Sequence, residues 1–296
     1  MMVNTRILTQ EFDYFVPETI RETLELLRQY GSEAKILAGG TDLITQLKQE
    51  KISPDYLINI MKIPELNHIE ETGGLRIGSA TKLCDIKEYC AKDRKYTALY
   101  EALCSLGKIQ VLNMGTIGGN ICNGSPAADT APPLLAFNGR VKLLSERGER
   151  VLDLTDFFKG VNNTAMAPDE MMIEIHLDPA PDDTGSAFTK IARVGADISK
   201  ITCAGVVERH GDICASCRIS LGAVAPVPMR GKETEKILQG NRIDTFLVEK
   251  AGKKVAEEIN PIDDIRSTAE YRRNIAATLF KDVFWKAWQR AGGEKR

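Results

Sequence analysis

The hydrophobic and polar positions alternate in character along the chain, and each change marks an element. Glu11 to Val16 reads as a short strand, and Pro17 suits the first turn of a helix. Ile20, Leu24, Leu27 and Tyr30 then recur at helical spacing over Glu18 to Tyr30, and Gly31 is a natural stop. A strand over Lys35 to Ala38 runs into Gly39, Gly40, Thr41 and Asp42, after which Leu43, Ile44 and Leu47 begin a helix. Strands follow at Pro54 to Ile60 and in a hairpin of Leu66 to Glu70 with Leu75 to Ala80 around Gly73-Gly74. Helices are expected from Thr81 through Cys90, over Leu99 to Leu106, and over Thr130 to Phe137. Arg140 to Leu144, Arg150 to Leu152 and Met171 to Leu177 are strands by the same reading.

Pro179 to Gly185, with two prolines, two acids and a glycine, has the composition of a linker. Beyond it lie strands at Ala187 to Arg193, Thr202 to Glu208 and Ile213 to Leu221. From Gly231 the pattern turns helical, with one helix over Ile243 to Ile259. Ser267 and Glu270 form a capping-box pattern ahead of a long helix whose face carries Tyr271, Ile275, Leu279 and Val283. The expected organisation is a mixed α+β half over residues 1–180, with subdomains of about 1–60 and 61–180, then a smaller lobe over residues 186–296.

One stretch breaks every periodicity. From Gly115 to Pro132 the chain has four glycines, small polar residues, one acid and almost no bulk. It has too little apolar surface for a core, and each interior glycine costs about 1 kcal/mol in a helix. It offers instead backbone that a ligand can approach closely, with N–H groups available to an anion. Gly39 to Asp42 is a shorter stretch of the same kind, in a strand–turn–helix setting that favours anions. Neither matches the G-x-G-x-x-G or G-x-x-x-x-G-K-[ST] patterns, so ordinary nucleotide folds are excluded. Two separate loops remain, able together to cradle a dinucleotide through backbone N–H groups and threonine hydroxyls.

Composition narrows the classes further. The 296 residues suffice for two or three lobes, and 43% hydrophobic content supplies a core. A net charge of −2 with interspersed signs does not suggest nucleic acid or an anionic membrane as partner. No apolar run approaches the roughly 20 residues of a membrane span, and the amino end has no apolar stretch of signal-peptide length. Seven scattered cysteines fit a reducing compartment, so the cytoplasm is expected.

The remaining chemistry is sparse. Asp129 is placed either to accept hydrogen bonds from ribose or ribityl hydroxyls or to cap the helix that follows it. Cys214 and Cys217 form a C-x-x-C without a second pair, on a segment whose alternation puts Ile213, Ala215, Cys217 and Ile219 on one face of a strand. Cys122 lies inside the glycine stretch as a small side chain. His68, His176 and His210 are scattered, so no metal centre and no Ser-His-Asp site is expected. Trp285 and Trp288 read as core of the terminal helix. Lys190 and Arg193, at odd separation on one strand, are expected on opposite faces.

Ala38-Gly-Gly-Thr-Asp-Leu43, followed far downstream by Thr116-Ile-Gly-Gly-Asn120 and Ser125-Pro-Ala-Ala-Asp129, resembles the paired FAD loops of the flavoprotein subunits of molybdenum hydroxylases. Within that family the chain is most similar to the FAD-binding subunits of bacterial xanthine dehydrogenases. The likeness covers nearly the whole length, including Leu75-Arg-Ile-Gly-Ser-Ala80, Lys108-Ile-Gln110 and the run from Phe188 to Ser199. It implies two α+β subdomains of the vanillyl-alcohol-oxidase or PCMH type clasping FAD, then a three-stranded sheet with a helical bundle. Lys35, Ile36, Leu37, Ala38, Gly39, Gly40, Thr41 and Asp42, with Thr116, Ile117, Gly118, Gly119 and Asn120, would hold the pyrophosphate and ribityl chain. Asp129 would meet FAD hydroxyls, a residue near Met171 or Met172 the adenine side, and Lys190 or Thr189 the flavin. Leu106 stands where some relatives place an aromatic, and no cysteine-rich insertion for an iron–sulfur cluster is found.

The resemblance also implies a setting. A large partner subunit would carry the molybdenum cofactor and a small one two [2Fe-2S] clusters, in a heterotrimer that would double into a dimer of heterotrimers. Electrons would pass through FAD to NAD⁺ or another acceptor, with no catalytic acid–base residue on this chain. Other substrates in the same family are carbon monoxide, nicotinate, aldehydes and aromatic acyl-CoA esters. The reading from another class is a scaffold that keeps the fold without the flavin.

Overall fold

The structure, a computed structural model, describes residues 8–292. The first sheet is parallel and small. Strands β1 (Asp13–Phe15), β2 (Ala34–Leu37) and β3 (Tyr56–Asn59) lie in the order β1-β3-β2. Helix α1 (Ile20–Tyr30) begins where Thr19 accepts the Glu22 N–H and ends at Gly31, whose N–H donates to the Leu27 carbonyl and whose φ of 51° turns the chain out of the helix. Leu24 and Leu27 turn into the core with Ile58, Ile60 and Ile63. Helix α2 (Leu43–Lys48) separates β2 from β3.

The second sheet is mostly built from distant segments. β4 (Ile69–Glu71), β5 (Leu75–Gly78), β6 (Arg140–Ser145), β7 (Gly148–Asp153) and β10 (Met171–Leu177) lie in the order β4-β5-β10-β6-β7. β10 pairs antiparallel with both β5 and β6, so it is central and its Met171, Met172, Ile175 and Leu177 are all buried. Between β5 and β6 come α3 (Leu83–Lys92), α4 (Thr97–Ser105), α5 (Ile109–Met114), α6 (Ile117–Cys122) and α7 (Ala131–Ala136). α8 (Leu154–Phe157) and a small ribbon of β8 (Phe158–Gly160) with β9 (Asn163–Thr164) precede β10.

The third sheet has three long antiparallel strands, β11 (Thr184–Ile191), β12 (Ile201–His210) and β13 (Ile213–Gly222), and adds a two-residue β14 (Met229–Arg230). One face packs against α11 (Ala269–Ala291) and α9 (Lys232–Leu238), and α10 (Thr245–Glu258) packs on both of these helices. The other face meets α4 and α7 of the preceding lobe. Phe188, Ala204 and Val206 accordingly share one apolar cluster with Leu99, Leu103 and Leu134. Pro179 to Gly185 is therefore no free linker: Thr184 already opens β11, after a turn closed by its N–H on the Pro181 carbonyl at 3.0 Å. No helix among the described residues is long and apolar enough to cross a membrane.

Four local expectations change. The glycine-rich stretch holds a short helix, α6, because Thr116 Oγ1 caps it by accepting the Gly119 N–H at 3.1 Å. The terminal helix is capped by Thr268, not Ser267, and its buried stripe runs through Ala276, Leu279, Phe280, Val283, Phe284 and Ala287, so Leu279 and Val283 of the expected face are buried while Tyr271 is exposed. Cys214 is buried with Cys217, whereas Ala215 is the extra residue of a bulge, since Glu208 faces Ser216 and Arg209 faces Cys214. Arg193 lies beyond the end of β11 and pairs with Asp197 at 2.7 Å, so the two-faces argument for Lys190 and Arg193 does not apply.

Candidate cofactor-binding site

The two glycine loops meet. β2 delivers the chain from its carboxyl end into Gly39, and a Cβ there would stand 1.8 Å from the Met114 carbonyl oxygen and 2.8 Å from the Gly115 Cα. Only a residue without a side chain lets this backbone touch the start of the second loop. Gly119 is exposed with Ala38 Cβ 4.0 Å from its own Cβ direction, and Gln46 Nε2 donates to Asn123 Oδ1 at 3.2 Å. A contiguous surface thus runs from Ala38 and Gly40 to Gly119.

The backbone donors of the two loops are used differently. Among the described residues, the N–H groups of Gly39, Gly40, Thr41, Asp42 and Leu43 have no partner within the chain. Gly40 has a φ of 72°, the left-handed conformation that alternates successive amides into a concave anion nest. In the second loop the Ile117 N–H goes to the Thr81 carbonyl, Gly118 to Ser79, Gly119 to Thr116 Oγ1 and Asn120 to the Thr116 carbonyl. The expectation of free amides in both loops is corrected: the second loop spends two donors on the residues that follow β5 and two on its own Thr116. Its Gly118 sits where a Cβ would lie 2.6 Å from the Ser79 carbonyl.

Asp129 does not cap α7. Its carboxylate is buried and meets Lys190 Nζ at 2.6 Å, while Ser199 Oγ donates to its other oxygen. Lys190 Nζ also donates to the Ser105 carbonyl at 3.0 Å. Burial raises the Asp129 pKa, against the pull of the Lys190 charge and of the hydrogen bonds from Lys190 and Ser199. Thr189 points to the opposite side of the sheet and bonds Asp282 of α11 at 2.9 Å, so of the two candidates only Lys190 faces Asp129. Asn120 Oδ1 accepts from Thr130 Oγ1 at 2.5 Å, which ties the second loop to the residue next to Asp129.

Ala38 to Asp42, Thr116 to Asn120, Asp129 and Lys190 therefore form one connected region. Lys35 is exposed on β2, with Ile36 and Leu37 between it and the loop. Asp42 is reached by solvent, yet nearby atoms desolvate its carboxyl and raise its pKa. Met171 and Met172 are core side chains of the central strand and present no free surface toward the loops. Cys122 packs against the core, and burial pushes its thiol up to about 12, which makes it a filler. The neighbouring Cys214 thiol, together with burial, raises Cys217 well above its ordinary value. Sequence reasoning missed Ser199 and the Ser105 carbonyl, since neither carries a local pattern.

Residues 10–180 match the family model for the FAD binding domain in molybdopterin dehydrogenase, and residues 186–287 match the CO dehydrogenase flavoprotein C-terminal domain. The chain belongs to the FAD-binding flavoprotein subunits of the molybdenum hydroxylases. This flavoprotein subunit is 32% identical over 285 residues to the xanthine dehydrogenase FAD-binding subunit of Escherichia coli O157:H7, covering 95% of this chain and 97% of that one. It is 33% identical to the glyceraldehyde dehydrogenase medium chain of Sulfolobus acidocaldarius, over 93% of this chain and 97% of the relative. The carbon monoxide dehydrogenase structure from Hydrogenophaga pseudoflava superposes with a TM-score of 0.92 at 32% identity, covering 96% of this flavoprotein and 99% of that chain. The subunit is thus an α+β oxidoreductase component with an FAD-binding domain.

Proposed function

We propose that this subunit holds FAD without a covalent link, with the pyrophosphate on the amides of Gly39 to Leu43. The observation that carries this reading is that run of donors, left without partners beside an exposed Gly119. An anion held by several backbone N–H groups needs no basic residue in the turn, and none is present. β2, through Lys35, Ile36 and Leu37, aims the first loop. Thr116, Ile117, Gly118 and Asn120 hold the second loop rigid so that Gly119 offers bare backbone to the ribityl chain. The Asp129–Lys190 pair, fixed in place by Ser199 and the Ser105 carbonyl, would lie at the flavin end. Met172 acts only as support from the sheet below.

FAD, when bound, supplies the storage that accepts electrons singly and gives them up as a pair. The chain's own residues supply position and access, and no acid–base residue of the chain is needed. The partners in this reading are a large subunit with the molybdenum cofactor and a small [2Fe-2S] subunit, in a dimer of heterotrimers with NAD⁺ or another electron acceptor. Residues 1–180 would be the FAD-binding unit, divided near residue 60, and residues 186–296 the second domain. The free thiols support a cytoplasmic location.

For the substrate of the complex we favour a purine such as xanthine, on the likeness to xanthine dehydrogenase subunits. The comparable likeness to a glyceraldehyde dehydrogenase chain favours an aldehyde as the second reading. Two measurements separate the levels of this proposal. Flavin absorbance of the purified chain, lost in Gly119→Leu with the fold retained, supports the site; full flavin content in that variant overturns it. Turnover by the co-purified complex on xanthine, an aldehyde, carbon monoxide and nicotinate decides the substrate.

A further inference from the structure

At the far edge of the third sheet, Asp183, Glu208 and His210 bring one carboxylate oxygen each and one imidazole nitrogen within 4.8 Å of one another. His210 Nε2 lies 2.8 Å from Asp183 Oδ2 and 3.3 Å from Glu208 Oε1. Donors bound at about 2.1 Å around a tetrahedral ion stand about 3.4 Å apart, so the 3.3 Å separation already fits and the 2.8 Å hydrogen-bonded one has to open by only about half an ångström. Glu208 and His210 are two apart on β12 and share a face, while Asp183 comes from the turn before β11. The bulge lies in β13, at Ala215, and leaves the β12 alternation intact.

A second observation points to an occupant. Thr184 is 7% exposed, and its hydroxyl has no hydrogen-bond partner. It faces Glu208 across the β11–β12 ladder, so the two side chains share that same face. A buried hydroxyl without a partner is costly, and a water on a bound ion would satisfy it. Ser216 Oγ meanwhile occupies Glu208 Oε2 at 3.0 Å, which leaves Oε1 turned to His210. His210 and Asp183 remain open to solvent, so an ion can enter.

We propose that Asp183, Glu208 and His210 form a binding site for a divalent transition cation of the zinc class, separate from the glycine-loop region. One imidazole and two carboxylates are a donor set suited to such ions. The ion would clamp the turn before β11 to the end of β12, beside the contact between the third sheet and the preceding lobe. The competing arrangement is His210 hydrogen-bonded between the two acids with no ion.

The test is calorimetric titration of the full chain, stripped with chelator, with zinc chloride. The expected result is uptake of an equimolar amount of zinc, weakened at least about tenfold in both His210→Ala and Asp183→Asn. Both positions are solvent-accessible, so the variants are expected to fold, and unchanged circular dichroism checks this. No saturable uptake by the unmodified chain overturns the proposal, as does uptake of equal affinity in the two variants, which would place the ion on a thiol instead.

Discussion

Lys190 Nζ lies 2.6 Å from Asp129 Oδ2, with each side chain more than nine-tenths removed from solvent. The pair joins β11 of the third sheet to the loop before α7, so it bridges the two halves of the chain. Breaking a buried pair from one side strands a charge. Asp129→Asn and Lys190→Met are each expected to cost about 3–5 kcal/mol in urea unfolding, and the double variant less than the sum. Additive losses would show that the two groups do not depend on each other.

Gly39 and Gly119 are expected to behave oppositely. A methyl at Gly39 collides with the Met114 backbone, so Gly39→Ala should lose about 1–3 kcal/mol by pushing the loops apart. Gly119 is exposed and its nearest neighbour is the Thr116 hydroxyl at 3.0 Å, so Gly119→Ala should unfold near the parent. Flavin retention should fall in both. Thermal unfolding read beside flavin absorbance separates a folding defect from a binding defect.

Glu174 gives the fold a pH dependence. Burial by itself would raise its carboxyl, but Arg76 at 2.6 Å and His68 at 3.2 Å pull it below the ordinary value. An acid depressed in the native state stabilises the fold above its ordinary titration range, and that stability drains as pH falls through the native value. Unfolding free energy followed from about pH 6 to about pH 3 should therefore fall less steeply in Glu174→Gln than in the parent. Equal slopes would remove Glu174 as a source of acid sensitivity.

At the start of α11, Thr268 Oγ1 accepts the Tyr271 N–H at 3.1 Å. Thr268→Ala should cost about 1 kcal/mol, while Ser267→Ala should cost little, as judged by denaturant midpoints. The reverse order would restore the capping box expected from Ser267 and Glu270.

Periodic elements were legible because they depend on neighbours in sequence. The helix over Ile20–Tyr30, the strand into Gly39 and the three long strands after residue 184 all carry their own spacing and stops. The glycine loops were legible as a pair by resemblance, and their lack of bulk alone excluded them from a core. What each glycine does was not legible. Gly39 and Gly118 are small because backbone from elsewhere touches them, whereas Gly119 is the one left open. The fate of the Ile117 and Gly118 amides depends likewise on carbonyls of Thr81 and Ser79, far back in the chain.

The sequence by itself determined where helices and strands form, that two loops are free of bulk, and that the donors available to an anion come from backbone. Those are properties of spacing, propensity and side-chain volume within a few residues. Only the tertiary structure decided that the first loop keeps its amides free while the second does not. It alone paired Lys190 with Asp129, buried Met172, and gathered Asp183, Glu208 and His210 at one sheet edge. Such facts depend on which distant segments the sheets bring together, and the alternation within one strand shows its buried face without naming its partner.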